Sequence, residues 1–302
     1  MNNQDKAAVF ILLGQSNAVG HGIPMENKDK IRKPQKNVFG LKREYNQSFE
    51  ISSLRWSGYT SGGMNLAEEQ DHTYSLANCL ADLWQKEIDS GNKNNLPDLY
   101  IVQIAIGAQG ITDGYMWNPT YEKKLIPGVL GTVDISLYPF TVHILSLIGK
   151  SLNEQGKTPE IMGVHWRGGE NDTTASAELL NNSLKKTYYA LFDGFCDALG
   201  KKVPIVLHKM VSYDRCLDLD PSCESLEKLH YINGVFEQLS SENENISVFD
   251  VCDAPHYTSG IRGNGIFIED AVHYTPQTNR WVAEQILNNY KITKLYCQKV
   301  VI

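Results

Sequence analysis

The sequence predicts an α/β fold with a central parallel sheet covered by helices on both faces. Three observations predict it. Apolar runs of strand length, rich in Val and Ile, recur along the chain. Segments with apolar residues three and four apart alternate with those runs. No linker, internal repeat or low-complexity tract divides the 302 residues. Strands that alternate with helices favour a parallel sheet, whose strands are buried on both faces and so read as continuous apolar runs. One domain over residues 1–302 is expected, and a chain of this length can bury a sizeable core without a metal or disulfide staple.

Ala7 to Leu13 is the first strand-like run, and Leu99 to Ile106, Ile161 to Trp166, Val203 to Met210 and Ile246 to Val251 repeat its character. Between them, Ser75 to Ile88 places Leu76, Cys79, Leu80, Leu83 and Trp84 on one helical face. Thr141 to Leu152, Ala175 to Leu199 and Ser225 to Leu239 read the same way. A last helix begins near Pro276, where a missing N–H has no partner to lose, and runs to about Tyr290. Two stretches, Pro24 to Gln70 and Tyr115 to Asp134, are long, irregular and rich in Gly, Asn and aromatics. Long loops in a compact domain are usually functional. Both follow predicted strands, so both emerge at the carboxyl edge of the sheet, where α/β proteins bind ligands.

The formal net charge is −7, from 28 Lys and Arg against 35 Asp and Glu. That balance and the lack of a basic tail argue against a nucleic-acid partner and suit a neutral substrate. No apolar stretch reaches the length of a membrane span, and the first apolar run is too short for a secretory core. The chain therefore reads as soluble and cytoplasmic, although a trimmed leader would leave the same sequence. The six cysteines form no C-x-x-C pair and no zinc spacing, so no metal is expected. They read as reduced thiols, with a Cys216–Cys223 bridge across a loop as the alternative.

Four short motifs carry candidate chemistry. Gly14-Gln15-Ser16-Asn17 follows the first strand directly. A serine at such a strand-to-helix turn has an exposed hydroxyl and an N–H facing the same space, which suits a nucleophile beside developing negative charge. A plain helix cap explains the same residues. Asp270-Ala271-Val272-His273 precedes the last helix, at a spacing that lets a carboxylate hold one imidazole tautomer. Most D-x-x-H pairs are ordinary surface chemistry. Gly168-Gly169-Glu170-Asn171-Asp172 follows a strand and offers the Asn171 amide as an oxyanion donor, or a Gly-rich turn with Asx capping. Gly107-Ala108-Gln109-Gly110 follows another strand, and its small residues let a backbone N–H approach a ligand.

In this order the motifs resemble those of the SGNH (GDSL-like) hydrolase superfamily. The block from Phe10 to Gly20 is most similar to that of its carbohydrate esterase branch, which includes sialate O-acetylesterases and acetyl xylan esterases. The resemblance implies a flavodoxin-like three-layer α/β/α sandwich with a central parallel sheet. It implies a serine esterase that needs no cofactor and acts on an acetylated mono- or oligosaccharide. It further implies Ser16 as nucleophile, His273 and Asp270 as base and orienter, and Ser16, Gly107, Ala108 and Asn171 as the oxyanion hole.

Two positions depart from that branch. Gly168 stands where the branch usually has a Gln, so the side-chain donor falls to Asn171. Ala108 stands where a second Gly is usual, and its N–H serves if its φ is negative. Gln15, Arg167, Glu170 and Trp117 are candidate substrate contacts. Arg167 could equally pair with an acid, and Glu170 could orient backbone or face solvent. Trp56, Tyr59, Tyr115, Trp117 and Tyr257 could form a platform for sugar rings or simply anchor their loops. His21 reads as an exposed loop histidine close to the nucleophile, and His165 as a packed one. The alternatives in function are a lipid-acyl esterase or thioesterase on the same fold, and a non-catalytic glycan-binding protein. The sugar, its acetylated position and the oligomeric state are open at this level.

Overall fold

The computed structural model describes residues 5–21, 23, 25–26, 30–68, 73–91, 96–121, 136–211, 224–257, 266 and 272–299. Its strands are β1 (Lys6–Gly14), β2 (Val38–Leu41), β3 (Trp56–Gly58), β4 (Asp98–Ala105), β5 (Thr158–Arg167), β6 (Ile205–His208) and β7 (Ile246–Phe249). Its helices are α1 (Ser16–Val19), α2 (Arg43–Asn46), α3 (Leu76–Asp89), α4 (Leu137–Asn153), α5 (Ala177–Ala198), α6 (Glu224–Glu242) and α7 (Pro276–Lys299). The strands form one sheet in the order β3-β2-β4-β1-β5-β6-β7, parallel except for β3.

The apolar run of β1 is apolar for a simple reason: the strand lies at the centre and is covered on both faces. Ala7, Val9, Ile11 and Leu13 face a core closed by α4, α5 and α6. Ala8, Phe10 and Leu12 face a second core closed by α3 and α7. The result is a three-layer α/β/α sandwich. The helices begin where local chemistry lets them. Ser75 accepts the Asn78 N–H while the Asn78 side chain returns to the Ser75 N–H, a capping box for α3. Ser176 caps α5 through the Leu179 N–H at 3.2 Å.

The stretch from 24 to 70 is less irregular than its composition suggests. β2 and β3 arise inside it and extend the sheet beyond β4. β2 reads VFGL and β3 WSG, and the glycine in each breaks up the apolar run that marks the other strands. β4 supplies the partner of β2, with Val38 beside Leu99 and Gly40 beside Ile101, and β2 in turn pairs antiparallel with β3. Phe39 stacks on Tyr100 at 4.9 Å and Trp56 meets the same ring edge-on.

The topology creates the crevice. From β1 the chain leaves toward β2, and from β5 it leaves toward β6, in opposite directions. Adjacent parallel strands whose exits diverge leave a gap at their carboxyl ends, the usual ligand position in such sheets. Among the described residues no helix is long and apolar enough to cross a membrane. Cys79 and Cys196 are buried free thiols and Cys252 is a half-buried one, while Cys216 and Cys223 lie outside the described residues.

Candidate functional site

The serine turn is forced by two close approaches. Gly14 ends β1 with φ +137°, and a Cβ there would stand 1.9 Å from the Arg167 carbonyl oxygen. That carbonyl accepts the Gln15 N–H at 2.9 Å, which turns the chain out of the sheet so that Ser16 opens α1. At the far end Gly20, in the left-handed region at φ +92°, donates its N–H to the Ser16 carbonyl at 2.8 Å. From below, the Trp117 indole N–H donates to the Gly14 carbonyl at 3.0 Å.

Polar side chains then tie this turn to two distant segments. Glu170 accepts Gln15 Nε2 at 2.5 Å and Asn17 Nδ2 at 3.0 Å. Asn17 Nδ2 also donates to the Val272 carbonyl at 3.1 Å, and Asn17 Oδ1 accepts the Tyr274 N–H at 3.1 Å. Arg167, buried beneath, donates through Nη1 to the Asn17 carbonyl and to Asn279 Oδ1 and lies over the Tyr274 ring. Deeper in the core, His165 Nδ1 meets His208 Nε2 at 3.1 Å. Burial, with the nearby Arg167 charge, pushes His165 down to about 3 and His208 well below its ordinary value, so the pair is neutral packing.

The Gly107–Gly110 turn is held from underneath by Asp172. Its Oδ1 accepts the N–H groups of Ile111 and Thr112, each at 2.9 Å. A Cβ on Gly110 would lie 2.3 Å from that oxygen, so only Gly fits. Burial pushes the Asp172 carboxyl up to about 6, against the downward pull of its hydrogen bonds from Thr112 and Ile111. Two features depart from expectation. Ala108 has φ +56°, so the condition of a negative φ is not met, and it is the one non-glycine residue with positive φ among the described residues. The Gly107 N–H donates to Glu68 Oε2 at 2.6 Å, so it is engaged by a carboxylate rather than open to an oxyanion.

Ser16, Asn171 and His273, brought together from three motifs, line one cavity of about 520 Å³. Gly107 and Ala108 line it too, as do Glu68 and His21. Asp270 lies outside the described residues. A larger cavity, about 840 Å³, runs along the sheet face beside α7, from Lys6 and Pro204 to His165 and Phe249, and includes none of the motif residues.

Several candidate substrate contacts are corrected. Trp117 is fully buried, edge-on to Trp166, because its N–H is committed to the Gly14 carbonyl. Arg167 is buried and holds backbone and Asn279 rather than substrate or an acid. Gln15 is buried against Glu170, and that pair braces the turn instead of facing the cavity. Trp56 donates to Ser151 and Tyr59 is buried, so neither offers a face to a sugar, and among the described residues the cavity lining holds no Trp or Tyr. Asn17 and Glu68 escape a sequence reading. Asn17 at least adjoins Ser16, whereas nothing near Glu68 in the chain marks it. His21, expected at an exposed loop position, faces the cavity paired with Glu68 at 2.5 Å.

No protein-family model matches the sequence, and no curated protein matches it. Solved structures do resemble the fold. NanS superposes with a TM-score of 0.61 at 14% identity, over 96% of this chain and 99% of that one. XAC1771, a carbohydrate acetylesterase from Xanthomonas citri, gives 0.45 at 12% identity, over 92% of this chain and 54% of that one. TesA gives 0.41 at 10% identity, over 93% and 96%. The three-layer α/β/α sandwich is the fold this chain shares with NanS.

Proposed function

We propose that this chain, built on the SGNH-hydrolase sandwich, is a serine esterase that removes O-acetyl groups from a carbohydrate. The observation that carries the reading is the meeting of Ser16 and His273, 257 positions apart in the chain, in one cavity with Asn171. A hydroxyl at a strand-to-helix turn, an imidazole and a side-chain amide donor form the minimal set for acyl transfer. The carbohydrate part rests on the resemblance of the Gly14–Asn17 block and on the kind of proteins that share the fold.

In this reading Ser16 Oγ bonds to the ester carbonyl carbon while its proton passes to His273. The Ser16 N–H and the Asn171 amide receive the oxyanion. The C–O bond to the sugar then breaks, and His273 returns the proton to the departing alcohol oxygen. Water repeats the sequence on the acyl-enzyme, releasing acetate and free Ser16. Asp270 would orient the imidazole and steady its charged form. Gly107 drops out of the oxyanion hole while Glu68 holds its N–H.

The test is a serine-directed fluorophosphonate followed by peptide mass spectrometry. One label on the Ser16 peptide is expected, absent in Ser16→Ala and strongly slowed in His273→Ala. Labelling at another serine, or none in folded protein, removes the assignment.

A further inference from the structure

His21 and Glu68 place an imidazole–carboxylate pair inside the cavity that acyl transfer does not use. Glu68 Oε1 meets His21 Nε2 at 2.5 Å and Oε2 accepts the Gly107 N–H at 2.6 Å. A carboxylate only accepts, so His21 Nε2 is the donor. The two side chains are 31% and 20% exposed, partly withdrawn from water yet open to the space that Ser16, Asn171 and His273 line. The His21 ring stands edge-on to that of His273 at 5.9 Å. Gly107 is glycine because His21 leaves no room: a Cβ would lie 2.5 Å from His21 Cε1.

Two physical points say what this pair can do. Each carboxylate oxygen is already anchored by one donor, so the group is held in one orientation, and each oxygen keeps a lone pair for another donor. A carboxylate also repels a developing oxyanion, so the acyl carbonyl belongs on the side of Ser16 and Asn171. The alcohol portion of the ester then faces His21 and Glu68. Hydroxyl groups next to the ester oxygen would donate to Glu68 in charge-assisted bonds, which are about twice as strong as neutral ones. A plain alkyl group would leave the carboxylate partly desolvated and facing carbon.

We propose that the His21–Glu68 pair is the specificity element of this site, reading hydroxyl groups that flank the scissile ester and so selecting polyol acetates over alkyl acetates. The proposal rests on the esterase reading. Sites built to bond a hydroxyl discriminate strongly against analogues that lack it.

The probes are 1-monoacetin and propyl acetate, which share the acyl group and a three-carbon alcohol and differ by two hydroxyls. The readout is the ratio of their kcat/KM values, in which any general loss of activity cancels. The wild-type ratio should favour monoacetin by about 100-fold or more, and Glu68→Ala should lower it by at least about tenfold. His21→Ala should lower it less, since Glu68 keeps its Gly107 anchor. A wild-type ratio near unity, or one that survives Glu68→Ala, overturns the proposal. So does a rise of both rates with the ratio kept, which would make Glu68 a plug on Gly107. A second arm is independent of turnover. Ser16→Ala protein is titrated with each ester by NMR, and tighter monoacetin binding that is lost on adding Glu68→Ala is expected. If wild-type protein hydrolyses neither ester and Ser16 takes no label, the esterase reading fails. The titration then decides this proposal alone, and equal or undetectable binding of both esters overturns it.

Discussion

Asn17 brackets His273: its side-chain amide donates to the Val272 carbonyl and accepts the Tyr274 N–H, both at 3.1 Å. The neighbour of the candidate nucleophile thus sets the backbone of the candidate base. Asn17→Ala should lower kcat on an acetyl ester by about 10- to 100-fold, because small misplacements of reacting groups are that costly. KM should move less. Asn17→Asp should be worse for stability at neutral pH, since it sets a second carboxylate against Glu170 and removes the donor. An unchanged kcat in Asn17→Ala would show that the segment holds its place without the bracket.

Asp172 predicts a pH dependence of folding. Its carboxyl rises from the ordinary 3.8 to about 6 on burial in the fold. The folded state therefore holds this proton more tightly than the unfolded chain does. The associated stability is fully present below pH 3.8 and is lost as pH rises through about 6, amounting to about 3 kcal/mol. The unfolding free energy of wild type relative to Asp172→Asn should fall by nearly that amount between about pH 3 and 8, with about 2 kcal/mol of it between pH 4 and 6, because the amide does not titrate. Denaturant unfolding of both proteins across that range measures it, and a flat difference would contradict the buried charge.

Ala108 sits at φ +56°, where an L side chain crowds its own carbonyl. Ala108→Gly should stabilise the protein by about 1 kcal/mol through relief of that strain, partly offset by the entropy of glycine. A lower midpoint in urea at unchanged m-value would mean that the methyl group makes contacts worth more than the strain.

Asn171 lines the same cavity as Ser16 and, in the proposed reading, is the side-chain donor to the oxyanion. Asn171→Ala should lower kcat by about 100-fold or more while KM stays near its wild-type value, the pattern of a donor used in the transition state. A loss confined to KM would assign Asn171 to ground-state binding instead.

The cavity wall combines Ser16, His21, Glu68, Gln109, Asn171 and His273 with Ile106 and Met116 as its large aliphatic side chains. A fatty-acyl channel would gain about 0.8 kcal/mol per buried methylene and favour longer chains steeply. Under the proposed reading kcat/KM on p-nitrophenyl esters should fall from acetate through butyrate to octanoate, because an acetyl-sized acyl subsite within the cavity rejects larger groups by overpacking. Acetate should also be released from at least one acetylated glycan. A rate that climbs with chain length, with no glycan deacetylated, would support the lipid-acyl alternative.

The sequence alone determined five of the seven described strands and their helices, because their signals are local. A strand covered on both faces must be apolar throughout, as β1 is, and a helix covered on one side must repeat every three or four residues, as α3 does. It also determined where Ser16 lies, since Gly14 and Gly20 mark a turn that only glycine allows. Tertiary structure decided what the polar residues do. Trp117 could equally anchor a loop or stack on a sugar until its indole met the Gly14 carbonyl, 103 residues away. Gln15 and Glu170 offered themselves to substrate until they met each other across 155 residues. Glu68 had no local signature at all, and only the fold brings it 2.6 Å from the Gly107 N–H. The reason is physical. Apolar burial is a property of a residue's own face and repeats along the chain, whereas a hydrogen bond is a property of two groups. When the second group comes from a distant loop, only the folded chain states the pairing.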